Sequence, residues 1–232
     1  MVNLNIIKDI VQIKPRTRIR PREFFIAWHG VPTLAYHGFS HTLLEIKQEI
    51  ERSVPGLKPE NPGSRWAKTT IGALKDNVEL TLKDVYELRR ICTNFRPDID
   101  RAATIFDVNS LSVVVFSCRS LEKRFVTYRI KLHPDLETDD KTPPASHLSR
   151  IDKTIAQFSP DRLLAYVPDL QKAGDRESEY RSTHIEATLV FDLPDEKPAY
   201  IEKFKAEVDE MLPGRYAWFD PKSYHITVRA LA

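Results

Sequence analysis

Two apolar periods alternate along the chain. "EFFIAWHGV" (23–31) is a short aromatic and aliphatic run ended by Gly and Pro, which predicts a buried strand. In "HTLLEIKQEIERSV" (41–54), Leu43, Ile46, Ile50 and Val54 recur at helical spacing. The turn-rich "PGLKPENPGS" then leads into a predicted strand, "RWAKTTIGAL" (65–74). Thr81 with Asp84 three residues on forms a capping-box-like start to a helix whose stripe is Leu82, Val85, Leu88, Cys92 and Phe95. "ATIFDVNSLSVVVFSC" and "KRFVTYRIKL" read as a strand pair, with Val126, Tyr128, Ile130 and Leu132 alternating in the second. A helix follows, with Ser146 as its cap and Leu148, Ile151, Ile155 and Phe158 on one face. "RLLAYVPDL" fits a strand or a helix end, and "QKAGDRESEYRS" reads as polar loop. A strand "THIEATLVFDL" (183–193), a helix over 197–212 and a last strand "SYHITVRAL" complete the chain.

The order of elements repeats. Strand "EFFIAWHGV", a helix, Pro55-Gly56 and strand "RWAKTTIGAL" match strand "IEATLVFDL", a helix, Pro213-Gly214 and strand "SYHITVRAL". Twelve residues separate Gly56 from Lys68 and eleven separate Gly214 from His225, so Lys68-Thr69-Thr70-Ile71 aligns with His225-Ile226-Thr227-Val228. The acidic, Pro-rich "HPDLETDDKTPPAS" (133–146) is the expected lobe boundary. Alternation puts His225, Thr227 and Arg229 on one strand face. If the two units pack about a twofold axis, Lys68 and Thr70 face His225 and Thr227 across a groove. One imidazole, one ammonium and two hydroxyls suit a phosphoester: hydroxyls and ammonium donate to phosphoryl oxygens, and the imidazole moves a proton.

Composition narrows the classes. Thirty-five basic and thirty-three acidic residues leave a net charge of +2, against wholesale coating of nucleic acid. In "KPRTRIRPR", Lys14, Arg16, Arg18, Arg20 and Arg22 would line one edge of an extended arm, either to touch phosphates or to protect a sheet edge. No apolar run is long enough to span a bilayer, and the first residues lack a secretory pattern. Cys92 and Cys118 read as buried, reduced thiols, which suits a cytoplasmic protein; a zinc site lacks paired ligands.

A histidine-x-threonine-hydrophobe strand repeated once per lobe resembles the signature of the 2H phosphoesterases, the superfamily of the LigT-like and cyclic phosphodiesterase proteins. "HITVRAL" looks like the second motif, and the element order matches over about residues 22–231. The resemblance implies an α+β domain of two lobes over residues 23–232, with two antiparallel sheets, flanking helices, a pseudo-twofold duplication and a central cleft, preceded by a basic arm over 1–22. It implies two acid–base histidines, threonines on the phosphate, no metal and no cofactor. Its substrates are 2′,3′-cyclic or 2′-5′-linked nucleotide esters, and the chain would be a monomer. The first motif departs from the pattern: Lys68 stands where the first histidine belongs. Lysine would serve as phosphate clamp or general acid, or would mark a domain that binds nucleotide or RNA ends without cleaving them. A third reading is an interaction domain in which the HITV strand is coincidental. Trp66 would stack a base or pack at a sheet margin, Arg229 would pair with phosphate or sit exposed, and Tyr128 would contribute if its strand lines the cleft. His184 is read as structural or surface.

Overall fold

The computed structural model describes residues 4–57, 59–60, 65–172 and 176–231. It is an α+β fold with antiparallel sheets. The order is α1 (Leu4–Gln12), β1 (Thr17–Ile19), β2 (Pro21–Ala27), β3 (Val31–Tyr36), α2 (His41–Ser53), β4 (Lys68–Thr70), β5 (Gly72–Leu74), α3 (Leu82–Asn94), α4 (Arg96–Ala102) and β6 (Phe106–Val108). Then come β7 (Ser110–Phe116), β8 (Arg124–Lys131), α5 (Ala145–Ile155), α6 (Leu163–Leu170), α7 (Arg176–Arg181), β9 (Glu186–Asp192), α8 (Ala199–Met211), β10 (Tyr216–Trp218) and β11 (His225–Ala230). One sheet has the order β2-β3-β4 and the other β11-β9-β7-β8; β1 pairs with β6, and β5 with β10.

Where local chemistry is strong, the elements fall where the pattern puts them. The Thr81–Asp84 capping box opens α3, and Ser40 accepts the Leu43 N–H at the start of α2. Elsewhere the fold corrects the pattern. Residues 23–31 are not one strand: Trp28-His29-Gly30 is a tight turn with φ of 62° at His29 and 71° at Gly30, so β2 folds back onto β3, a strand the apolar pattern did not separate. Ser146 is not a cap, because α5 begins at Ala145 behind Pro144 with no side-chain cap. "RLLAYVPDL" is helical as α6, and the expected loop 171–182 contains α7. Residues 173–175 of that loop, like 58 and 61–64 of "PGLKPENPGS", lie outside the described residues.

The basic arm is folded onto the body. Ile7 and Val11 of α1 are fully buried, and Thr17, Ile19 and Pro21 point inward while the basic residues alternate outward. Lys14 pairs with Glu45 and Glu49, Arg18 with Asp107 and Asp140, Arg20 with Asp140, and Arg22 with Glu23 and Asp152. The acidic loop expected to divide the chain is what holds this segment, through Asp139 N–H to the Arg16 carbonyl and Thr17 Oγ1 to the Asp139 carbonyl, both 2.8 Å. Residues 14–22 therefore pack against the body, with Lys14, Arg18, Arg20 and Arg22 in internal ion pairs, instead of projecting as a separate arm.

The two motif strands lie side by side. Thr69 Oγ1 donates to the His225 carbonyl at 3.1 Å and accepts the hydroxyl proton of fully buried Tyr36 at 2.8 Å, which stitches β4 to β11. Their sheets present them in one register. Ala35 faces Lys68 and Thr33 faces Thr70; Asp192 faces His225 and Val190 faces Thr227. Lys68 follows Ala35 by 33 positions (68 − 35), as His225 follows Asp192 (225 − 192). Gly56 and Gly214, which end the preceding helices, have φ of 76° and 74°.

Candidate active site

A cavity of about 620 Å³ opens over the junction of β4 and β11. Lys68, Thr70, His225 and Thr227, from sequence positions 157 residues apart (225 − 68), all line it, together with Trp66. Strand alternation delivers them: Thr69, Ile226 and Val228 are fully buried, and the intervening side chains turn to the open face.

His225 is set by the turn before it. Asp220 caps Pro221–Ser223 by accepting the Lys222 N–H, and the Ser223 carbonyl lies 2.7 Å from His225 Nδ1. A carbonyl only accepts, so Nδ1 carries the proton and Nε2 keeps its lone pair. Burial pushes the imidazole down to about 4; the Ser223 hydrogen bond opposes this, nearby Arg124 adds to it and Asp192 opposes it. Asp192, across the ladder from His225, is held by Ser112 Oγ at 2.7 Å and Arg124 at 2.8 Å. The imidazole is thus a neutral base at physiological pH.

Lys68 is the opposing cation. Its Nζ sits 4.8 Å from the centroid of the Trp66 ring. Burial, and after it the Arg119 guanidinium, lowers its pKa to about 8. Arg119 is fixed by Glu179 at 2.6 Å and lies 5.7 Å over the ring of Tyr180. Tyr180 shares a hydrogen bond with Thr70, and its phenol is raised by burial against the pull of Arg119 and that bond. Two cations and two threonine hydroxyls around one wall form a place for an anion.

Three expected contributors behave differently. Trp66 borders the cavity but is 7 % exposed and packs edge-on to Phe25 at 6.0 Å. Arg229 does not share the face of His225 and Thr227. Val228 is an extra residue in the β11–β9 ladder, and this bulge turns Arg229 inward. Arg229 borders the cavity but is 2 % exposed, with Nη1 donating to the Ala230 carbonyl and Nη2 4.0 Å from Glu51. Tyr128 is outside the cavity wall: it pairs with Val113 on the edge strand β8, on the face opposite to Ser112 and Val114. His184, read as a surface residue, is exposed and also borders the cavity.

Arg119, Tyr180, Glu186 and Ser223 were not singled out from the sequence. For Ser223 a signal exists, since Asp220-Pro221-x-Ser is a turn signature immediately before the motif. Arg119 and Tyr180 arrive from a hairpin and a short helix that only the fold brings to Lys68. Among the described residues, no group of three or more His, Cys, Asp or Glu side chains is placed to hold a metal ion. No helix among them is long and apolar enough to cross a membrane, and both cysteines are free and buried. No family model, curated protein or solved structure matches the chain.

Proposed function

We propose that this chain is a metal-independent phosphodiesterase of the 2H type, acting on a 2′,3′-cyclic phosphate or another nucleotide or RNA-end phosphoester in the cytoplasm. What carries the reading is the convergence of Lys68, Thr70, His225 and Thr227 on one cavity with an anion-favouring wall. Their equal strand spacing and register support reading β3–α2–β4 and β9–α8–β11 as two copies of one unit, with lysine replacing histidine in the first.

In this reading the phosphoryl oxygens sit against Thr70, Thr227 and the Lys68 ammonium. His225 Nε2 takes a proton from water as the water oxygen bonds to phosphorus. The bond from phosphorus to the leaving ribose oxygen breaks, and Lys68 gives that oxygen a proton. Each group holds the required form in the same interval: His225 is neutral above about 4, and Lys68 is charged below about 8. The test is hydrolysis of a panel of 2′,3′-cyclic nucleotides in EDTA by wild type and His225→Ala. Turnover in EDTA, with a loss of at least about a hundredfold in the variant, is expected. Turnover that survives the substitution, or vanishes on chelation, refutes the mechanism. Tight binding without turnover would favour the degenerate binding domain instead, and Lys68→His would then be the variant to assay for rescue.

A further inference from the structure

The cavity has a second pole whose chemistry differs from the first. On β9 the side chains of Glu186, Thr188 and Val190 share the face that Thr227 presents, because Thr227 pairs with Val190 and alternate residues point alike. Thr188 spends its hydroxyl proton on the Arg229 carbonyl at 3.2 Å. Glu179, the other carboxylate in the wall, is taken by Arg119 and Arg176. Glu186 is half-buried in the same wall, and among the described residues its carboxylate makes no hydrogen bond or ion pair. The same cavity wall holds flat surfaces nearer Lys68 and Thr70: Arg119 over Tyr180, and Tyr180 at 5.3 Å from Phe219.

A carboxylate without a cation repels a second phosphate and accepts N–H donors. A pair of donors on the edge of a planar ring fits it best, since a carboxylate binds such a pair bidentately. Guanine alone among the common bases offers two adjacent donors, N1–H and N2–H, on its Watson–Crick edge. Adenine and cytosine put a ring lone pair beside their amino group, and uracil places one N–H between two carbonyls. The position also fits. Glu186 lies four residues along β9 from the partner of Thr227, about 13 Å at strand rise. That is the reach of a nucleotide laid along the strand from phosphate to base edge, with its terminal hydrogen bonds.

We propose that the Glu186 end of the cavity is a nucleobase subsite selective for guanine, with Glu186 accepting N1–H and N2–H. The subsite rests on the phosphoester reading of the other end. Its test is kcat/KM for the four nucleoside 2′,3′-cyclic phosphates, with wild type and Glu186→Gln, thermal melts serving as the fold control. Calorimetric binding of the guanosine and adenosine esters to His225→Ala, with and without Glu186→Gln, is measured alongside. The guanosine ester should lead by about ten- to a hundredfold. Glu186→Gln should move the preference toward adenosine, whose N6–H and N1 match a carboxamide. Equal rates for all bases, a preference untouched by Glu186→Gln, or binding of none of the esters overturns the subsite. Base-blind hydrolysis that depends on His225 removes the subsite but keeps the reaction. Guanosine-selective binding that needs Glu186, without turnover in wild type, keeps the subsite and removes the reaction.

Discussion

Lys68 is the residue on which chemistry and stability pull apart. Its pKa falls from the usual lysine range to about 8, so folding favours the neutral amine. The stability gained from that preference is present above the unfolded value and is lost as pH falls through the folded one. At pH 7 the ammonium is therefore a net burden. Lys68→Met should raise unfolding free energy by about 1–3 kcal/mol in urea melts at pH 7 while abolishing turnover. His225 works in the same sense lower on the scale. Its imidazole is depressed to about 4, so stability should decline as pH falls from 6.5 toward 4, and His225→Gln should flatten that decline. His225, Thr227, Lys68 and Thr70 were legible from the sequence because alternate positions on a strand share a face. Arg229 was not, because the Val228 bulge breaks the alternation and no residue type in "HITVRAL" announces a bulge.

That bulge has a cause at the level of elements. An extra residue in a ladder leaves a carbonyl without its strand partner, and Lys47 of α2 donates to the Val228 carbonyl at 2.7 Å. The same Nζ pairs with Glu60 at 2.5 Å and lies 4.5 Å over the Phe39 ring. Burial holds the Lys47 pKa down against the pull of Glu60. Lys47→Ala removes the donor and leaves a buried carboxylate behind, so a loss of about 3 kcal/mol is expected in denaturant unfolding. A second element contact is the pairing of β5 with β10. A Cβ on Gly72 would lie 2.7 Å from Trp218 Cε3 and 2.9 Å from the Ala217 carbonyl. Gly72→Ala should destabilise the protein by about 1–3 kcal/mol. Neither contact can be read from a window of sequence. The β2–β3 hairpin is hidden for a different reason: in the sequence Gly30 reads as the stop of one strand, whereas its positive φ makes the turn between two. Helix α7 has no fully buried residue to mark a stripe, so its polar sequence looked like loop.

At the scale of the whole molecule, the proposed activity would need β4 and β11 together, since Lys68 and His225 come from different sheets. The N-terminal segment packs on this body. Arg18, Arg20 and Arg22 are answered by Asp107, Asp140 and Asp152, so Arg18→Ala and Arg20→Ala should leave cyclic-nucleotide turnover unchanged. Each should shift the thermal melt little, as the loss of an exposed pair does. The matched Pro-Gly stops were visible in the sequence because they are local; the first strand of the expected repeat was not, since "EFFIAWHGV" is β2 and its turn, whereas β3 precedes α2 and pairs with β4. The closure of the acidic loop onto residues 14–20 was not, since complementary charge far apart in the chain names no partner until the fold is known.

The central claim, that His225 accepts and Lys68 donates the proton across one phosphoester, is tested most directly by the pH–rate profile of 2′,3′-cyclic nucleotide hydrolysis in EDTA. Wild type should give a bell, with an acid limb near 4 where His225 becomes charged and a basic limb near 8 where Lys68 loses its proton. Lys68→Arg, which stays charged, should lose most of the rate and the basic limb with it. A basic limb that stays in place in Lys68→Arg, or a wild-type rate that does not fall as His225 protonates, would contradict the account.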